Sequence, residues 1–565
     1  MPAAVLVRRL VYILACLLPI WAVIAYFTGG VGWMLGPIRL SSRQPLRPLL
    51  IGLVIAGLYL WKYSGADREA DGRWLHRWTA RALPFTVPVA AIVVLYVGFH
   101  YGSFAAAGSD SYGYVSQARF WLSGIPRVQQ PWVLDFPWEN REWIFSPLGY
   151  RPFSPDGAIV PTYPAGLPML MAAFLAVFGA NGPFYVAPVL AALTVWFTYM
   201  LGRDATGSRT VGALSAALLV ASPAFLTHVM VPMSDVPAAA CWTLVAVLAL
   251  KQKPLAAGIL TGFALFIRPN LILLALMPAF AWRWKQEALM RFATGLVPGV
   301  VAIMIVNFLL YGGPLTNGYA TLVELYAFGA LPLNLRNYIV WLVQTETPLV
   351  LLAVIPLFAR NALREEREVS ARACLSALIG LTFLSYLFYA TFDHWFYLRF
   401  LLPAYPAMLV LMVAALRWLA WKIPAEARVP ATALICAAVI PFGVNAARHE
   451  GVFNVAASEG RHIRAAQEVA SRTPPDAIVL AVQHSGSVRY YADRITMRYD
   501  WLKDGALDSA LRDVTAKGRR AFLVVDDWEE KEFRARFSPS NRGAQLGEPI
   551  ARVPSSPEVR IFELR

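Results

Sequence analysis

Four short stretches of this sequence carry side chains whose types and placement could do chemistry. GSDSYGYVSQARFWLSG (residues 108–124) presents the carboxylate of Asp110 a few residues after an apolar run, PFTVPVAAIVVLYVGFHY (84–101). MVPMSD (230–235) ends on a second carboxylate, Asp235, where another apolar run begins. Arg268-Pro269-Asn270 joins two short apolar runs, and FDHWFYLR (392–399) brings His394 and Arg399 to the edge of a further one. A placed carboxylate can take the proton of a reacting hydroxyl, and arginine can hold a phosphate through paired, charge-assisted hydrogen bonds. Each residue also has a plainer reading. Asp is favoured as an N-cap, so Asp110 could simply open a helix over 111–123 and Asp235 the helix after it. Arg268 could snorkel to lipid phosphates. His394, next to Asp393, could hold a metal or a phosphate, or be a surface polar group; Tyr150 and Arg151 could touch a substrate or only pack. His228, at an apolar helix end, reads as a hydrogen-bonded interface residue.

Those stretches need elements to position them, and the composition says which. Of 565 residues, 58% are hydrophobic and only 15% charged, which excludes both an ordinary soluble protein and a disordered one. A bilayer needs about 20 apolar residues per helix, and more than ten stretches qualify as candidates. The first run (10–28), after Arg8 and Arg9, could pass for a signal peptide, but no small-residue cleavage site precedes a soluble domain, so it reads as a retained helix. The four cysteines, Cys16, Cys241, Cys374 and Cys436, all lie inside apolar runs without CxxC spacing, and read as buried small residues rather than a disulfide or zinc set. The net charge of +15 is spread through loops, where it orients a membrane protein; with no basic stripe among aromatics, nucleic acid is discarded as a partner.

Basic clusters at 8–9, 62–81, 203–209, 251–253, 283–291, 360–372 and 417–428 are assigned to the cytoplasm. About thirteen helices follow: 9–28, 46–61, 84–101, 183–201, 210–229, 235–250, 254–267, 270–283, 292–310, 337–359, 373–391, 400–416 and 429–446. The N-terminus is then inside and the C-terminus outside. Arg39, Arg43 and Arg47 break the rule. The short apolar segment 164–182 is expected to lie along or dip into the outer interface. Asp110, Asp235, Arg268 and Arg399 all fall on the outer face, with Arg268 and Arg399 at the depth of a lipid phosphate. The Arg-Pro-Asn corner points outward, and a cation there is costly without an anionic partner.

From about 447 the chain changes character. AIVLAV (477–482), RITMR (494–498), RAFLVV (520–525) and EVRIFEL (558–564) read as strands, alternating with helical stretches 459–472, 505–517 and 528–537. A small soluble α/β domain is expected on the outer side. The order of domains is thus an added helix pair with a cytoplasmic loop (1–83), a transmembrane unit with a large outer loop at 102–182 (84–446), and the α/β domain (447–565). QHSGSVRYY follows the first strand, at a place where α/β folds often bind ligands.

Taken in order, SDSYGYVSQA, FSPDGAIVPTYPAGLPML, MSDVPAAA, FIRPN, YGGPLTNGY and YLRFLLPAYP resemble the integral membrane glycosyltransferases of the GT-C superfamily, on the branch of bacterial relatives of protein O-mannosyltransferases and aminoarabinose transferases. The resemblance runs from about residue 84 to the C-terminus. It implies a polyprenyl-phosphate-linked sugar donor, an extracytoplasmic acceptor, a place in the cytoplasmic membrane, and an acid in the first outer loop as catalytic base. Asp110 matches that acid; Asp235 matches a second one at a later helix start. Many relatives have two adjacent acids at the first position, and Ser111 here weakens a metal-binding pair while leaving a divalent metal open. Arg268, Asn270, Arg399, Tyr150, Arg151 and His394 are the expected substrate contacts. One base without a covalent nucleophile implies inversion at the anomeric carbon. A transporter or flippase of a lipid-linked sugar is the alternative; it calls for mid-bilayer ionisable residues and two matching halves, whereas the ionisable residues here collect on one face. A non-catalytic envelope scaffold would have no use for Asp110.

Overall fold

The computed structural model describes residues 3–564 except 36–37, 126, 154–155, 320–321 and 364–367; Arg364 and Arg367 of the 360–372 basic cluster lie outside the described residues. The chain is a polytopic α-helical membrane protein. Among the described residues, seven helices are long and apolar enough to cross a bilayer, or up to nine if each of two bent pairs is one span. Those pairs are Arg209–Leu219 with Pro223–Val229, bent by 66°, and Phe328–Glu346 with Pro348–Phe358, bent by 120°. The remaining expected segments correspond to the shorter apolar helices Asp235–Leu250, Pro254–Ile267 and Pro269–Ala281 and to the 17-residue helix Leu46–Lys62.

Lipid offers no hydrophobic drive between apolar helices, so small residues bring them close. Helices Pro254–Ile267 and Gln286–Tyr311 meet through Gly258, Gly262, Gly295 and Gly299, where a methyl on Gly262 would stand 2.9 Å from the Gly299 Cα. At the N-terminus, buried Asp71 accepts from Arg8 Nε (2.8 Å) and the Tyr59 hydroxyl (3.0 Å), tying together the first three helices. The segment expected along the interface forms helix Gly166–Phe178, turns at Gly179 (φ +69°), and packs against Gly182–Thr206 and Asp110–Leu122.

Nine short strands occur among the described residues. A hairpin, β1 (Val31–Leu35) with β2 (Ile38–Ser42), was not expected from the sequence. Another, β3 (Tyr150–Pro152) with β4 (Ile159–Pro161), lies in the large loop. The C-terminal domain is a five-stranded sheet of β5 (Ile478–Leu480), β6 (Ile495–Met497), β7 (Ala521–Asp526), β8 (Ala551–Val553) and β9 (Val559–Leu564), in the order β6-β5-β7-β9-β8. β6, β5 and β7 run parallel; β9 is antiparallel to both its neighbours. Alternation sorts the faces. Ile478 and Leu480 join a core with Phe533 and Phe537, while Val479 joins Ala465, Ala466 and Val469 of helix Val455–Arg472. Val133, Phe136, Ile144 and Phe145 of the large loop enter the first of these cores, so loop and domain share apolar packing.

A buried polar group sits at the carboxyl end of β5 and β7. Asp526 accepts from Arg461 Nη2 (3.2 Å) and His484 Nε2 (3.1 Å), and the His462 ring lies tilted against His484, with centroids 4.4 Å apart. Burial, then His484 and Arg461, push the His462 imidazole well below its ordinary value. The folded domain therefore keeps His462 neutral, while the unfolded chain protonates it below about pH 6.5. The unfolded state binds the extra proton, so stability falls with pH from there by up to about 1.4 kcal/mol per unit. Burial opposes the Asp526 charge, but His484 and Arg461 outweigh it and hold its carboxyl low; that stability is lost only further down, in the carboxylate range. Glu459 and Glu529, raised by burial, act in the opposite sense there. The protection factor of the β7 amides in the intact protein, which is the observed exchange corrected for the intrinsic base-catalysed rate, should fall from pH 6.5 to 5, and His462→Gln should remove that dependence.

Candidate active site

The helix Asp110–Leu122 starts where backbone crowding leaves room for little else. Gly149, at φ +86°, lies so close that a methyl there would stand 2.7 Å from Ser109 O, and a methyl on Gly113 would stand 2.5 Å from the Tyr163 ring. Tyr163, in the PTYPAG stretch after β4, thereby reaches Asp110. Its hydroxyl donates to Asp110 Oδ1 and lies 2.7 Å from Ser109 Oγ. Burial and then the Asp110 charge raise the Tyr163 phenol well above its ordinary value, so it serves as a donor. On the other side Arg399, in the 3-10 helix Trp395–Ala404, donates from Nη1 to Asp110 Oδ2 (2.8 Å). Phe396, Tyr397 and Phe400 surround the guanidinium, with ring centroids 5.2–5.5 Å away. The N-cap of the helix is Ser109, without a side-chain cap bond; the Asp110 carboxylate is spent on Tyr163 and Arg399.

A second acid–arginine pair stands alongside. Asp235 opens helix Asp235–Leu250, and its Oδ1 accepts from Arg268 Nη1. Pro269 forbids the helical conformation to the residue before it, so Arg268 is extended (φ −147°, ψ 83°) where helix Pro254–Ile267 ends. The two pairs differ in access. Side-chain exposure is 2% for Asp235 and 9% for Arg268, against 26% for Asp110 and 14% for Arg399. Tyr114, four residues after Asp110, bonds Ser234 (3.0 Å) and links the two helix starts.

All four charges line one cavity of about 1420 Å³. Its wall includes Ile272 and Leu384, which are 62% and 44% exposed, and also Trp143 of the large loop and Trp501 of the C-terminal domain, stacked at 4.7 Å. Asn270 also lines it, with Nδ2 on the Tyr386 hydroxyl (3.2 Å). Arg151 lines it too, and Nη1 holds the loop carbonyls of Asn317, Gly318 and Tyr319 at 3.3–3.4 Å.

Two expected substrate contacts are elsewhere. Tyr150 is 2% exposed, bonded to Ser116 (2.8 Å) and packed on Tyr112, because β3 turns it into the loop's own core. His394 is exposed, does not line the cavity, and accepts the Phe396 N–H on Nδ1 (3.2 Å), capping its own helix. His228, expected as a hydrogen-bonded interface residue, has its Nδ1 2.7 Å from Ala224 O and is fully buried. The sequence reading missed Tyr163, Tyr319, Trp143 and Trp501. Tyr163 stood inside a quoted motif, but nothing distinguished it from the other loop aromatics.

Among the described residues, one His/Asp/Glu group has ligand atoms within 4.8 Å of one another: His484, Asp526 and Glu529. It lies in the C-terminal domain. Arg461 already occupies Asp526, and Glu529 closes a capping box with it. The His484, Asp526 and Glu529 group is spaced as a metal site could be, whereas at the cavity the two aspartates are taken up by Arg268 and Arg399.

No family model matches the chain, and no curated protein matches it. Solved structures do. ArnT from Cupriavidus metallidurans bound to undecaprenyl phosphate superposes with a TM-score of 0.53 at 12% identity, over 84% of this chain and 97% of that one. The same protein in its apo state gives 0.50 at 14% identity, over 85% and 97%. With its multi-pass helical bundle and C-terminal sheet, the chain shares the fold of these ArnT structures.

Proposed function

We propose that the protein is an inverting glycosyltransferase that moves a monosaccharide from a polyprenyl-phosphate donor to an acceptor outside the cytoplasmic membrane. The observation that carries this reading is the accessible carboxylate of Asp110, held by two donors on the wall of a large cavity that is also lined by the exposed apolar side chains of Ile272 and Leu384. A lipid-linked donor, of the kind the similar ArnT structure's undecaprenyl phosphate suggests, enters between Ile272 and Leu384 and leaves its chain in the bilayer. The acceptor comes from the side of Trp143 and Trp501.

In the reaction the acceptor hydroxyl oxygen attacks the anomeric carbon and passes its proton to Asp110. The bond from that carbon to the phosphate oxygen breaks on the opposite face, and the departing phosphate gains negative charge. Arg399 and Arg268 supply positive charge beside the cavity, where a preorganised charge stabilises the transition state without reorganisation. Tyr163 orients the base. Asp235, almost inaccessible, positions Arg268. No step passes through a metal.

Mass spectrometry of envelope lipids and glycans, with and without the gene, tests this. Loss of one hexose, pentose or aminosugar increment from a defined acceptor is expected; identical profiles would reject the reading. Orientation has its own check. The N-terminus is placed in the cytoplasm and the C-terminal domain outside, so a reporter fused after residue 455 should be active only outside, and one near Gly207 only inside. The reverse pattern would move Asp110 to the wrong compartment.

A further inference from the structure

QHSGSVRYY (483–491) follows β5 at the carboxyl ends of the parallel strands, where β6 lies to one side of β5 and β7 to the other. Open α/β sheets bind ligands in the crevice at such a reversal. Here the chain fills the crevice itself. Gly486 lies flat on the Tyr112 ring, and a methyl there would come within 2.8 Å of Cε1 and nearer still to Cδ1 and Cγ. Ser485 Oγ accepts from the Leu148 N–H (3.1 Å), and the Tyr491 hydroxyl accepts from the Ala106 N–H (2.8 Å). The Arg119 guanidinium covers the Tyr490 ring at 3.9 Å, and Arg489 donates to Gln130 Oε1 (2.7 Å). These contacts bracket Asp110, falling on Ala106 before it and on Tyr112 and Arg119 after it. His484, the second residue of the segment, is held by Asp526, which gives the buried polar group of the domain a place in the same device.

We propose that residues 485–491 are a positioning clamp for the catalytic helix, and that Gly486 is the residue that seats it, through Tyr112. The proposal rests on Asp110 being the base. Tyr112 and Asp110 share the first turn of one helix, so displacing the ring displaces the carboxylate from Tyr163 and Arg399. Misplacement on the ångström scale can cost about a hundredfold in rate. Residues 485–491 thus act in the reaction without touching substrate.

The test compares Gly486→Ala with Gly505→Ala, an exposed position in the same domain with open space around its Cα, in the full-length protein. Hydrogen exchange over 108–122 should accelerate in Gly486→Ala alone, with β5 and β7 still protected. Sugar transfer in cells should fall about tenfold or more. Unchanged exchange over 108–122 relative to the control overturns the proposal. If β5 and β7 also lose protection, Tyr491→Phe decides, since it removes one hydroxyl: faster exchange around Ala106 supports the clamp, and wild-type exchange there overturns it. Exchange needs no substrate, so a failure of the glycosyltransferase reading would appear separately, as absent transfer in the wild type.

Discussion

Asp110→Asn is expected to lower turnover by about a hundredfold or more while donor binding and fold stay near wild type. Asn matches Asp in size; its Oδ1 can accept from Arg399 while its Nδ2 donates to the Tyr163 hydroxyl, so the helix start keeps both partners with the Tyr163 bond reversed. What is lost is the ability to hold a proton. If the side chain were only architectural, the substitution would be almost silent in rate, and Asp110→Ala would instead cost about 1–3 kcal/mol of stability by leaving Arg399 and Tyr163 without their acceptor. Measuring turnover and thermal stability on both variants separates chemistry from scaffolding. An active, stable Asp110→Asn protein would remove the base.

Arg268→Ala is expected to destabilise the protein by on the order of 3–5 kcal/mol, because it strands the buried charge of Asp235. The sequence alone places Arg268 as a free phosphate ligand, whose loss would weaken donor binding and little else. Its pairing with a 2% exposed aspartate changes that expectation. Removing both charges together, in Asp235→Asn/Arg268→Gln, should restore much of the stability but not the activity, since only Arg399 of the two arginines assigned to the leaving phosphate then remains. Thermal unfolding of the two single variants and the double variant closes the cycle. Additive losses would mean that the two residues do not act as a pair.

How much of this was legible beforehand depended on the kind of signal. Apolar runs locate helices, and each expected span falls on a helix or an adjoining set of helices. Acids and arginines at the ends of such runs are conspicuous, and Asp110, Asp235, Arg268 and Arg399 do line one cavity. Which acid meets which arginine was not legible. Asp110 reaches across 289 positions to Arg399, and no local pattern encodes a contact of that separation. Tyr150 and Tyr163 look alike in a loop without periodicity. A three-residue hairpin turns the first inward to Ser116 and carries the chain on so that the second meets Asp110. His394 drew attention for its type, yet it serves its own helix by capping Phe396. In the tail, alternating apolar runs marked four strands, while β8 escaped because ARV is short, with Arg552 exposed at its centre. The segment after β5 looked like a ligand site for a sound reason, and the occupant proved to be the chain's own Tyr112.

The central claim is that Asp110 drives breakage of the bond between sugar and lipid phosphate. The direct measurement reconstitutes the purified full-length protein in lipid nanodiscs with polyprenyl-phosphate-linked sugars and acceptor material extracted from the same envelope, and follows free polyprenyl phosphate by mass spectrometry. The account predicts one polyprenyl phosphate released per monosaccharide transferred, an inverted anomeric centre in the product, and release about a hundredfold slower with Asp110→Asn. Release at the wild-type rate by Asp110→Asn, or a donor that binds and crosses the bilayer with its sugar still attached, would contradict it.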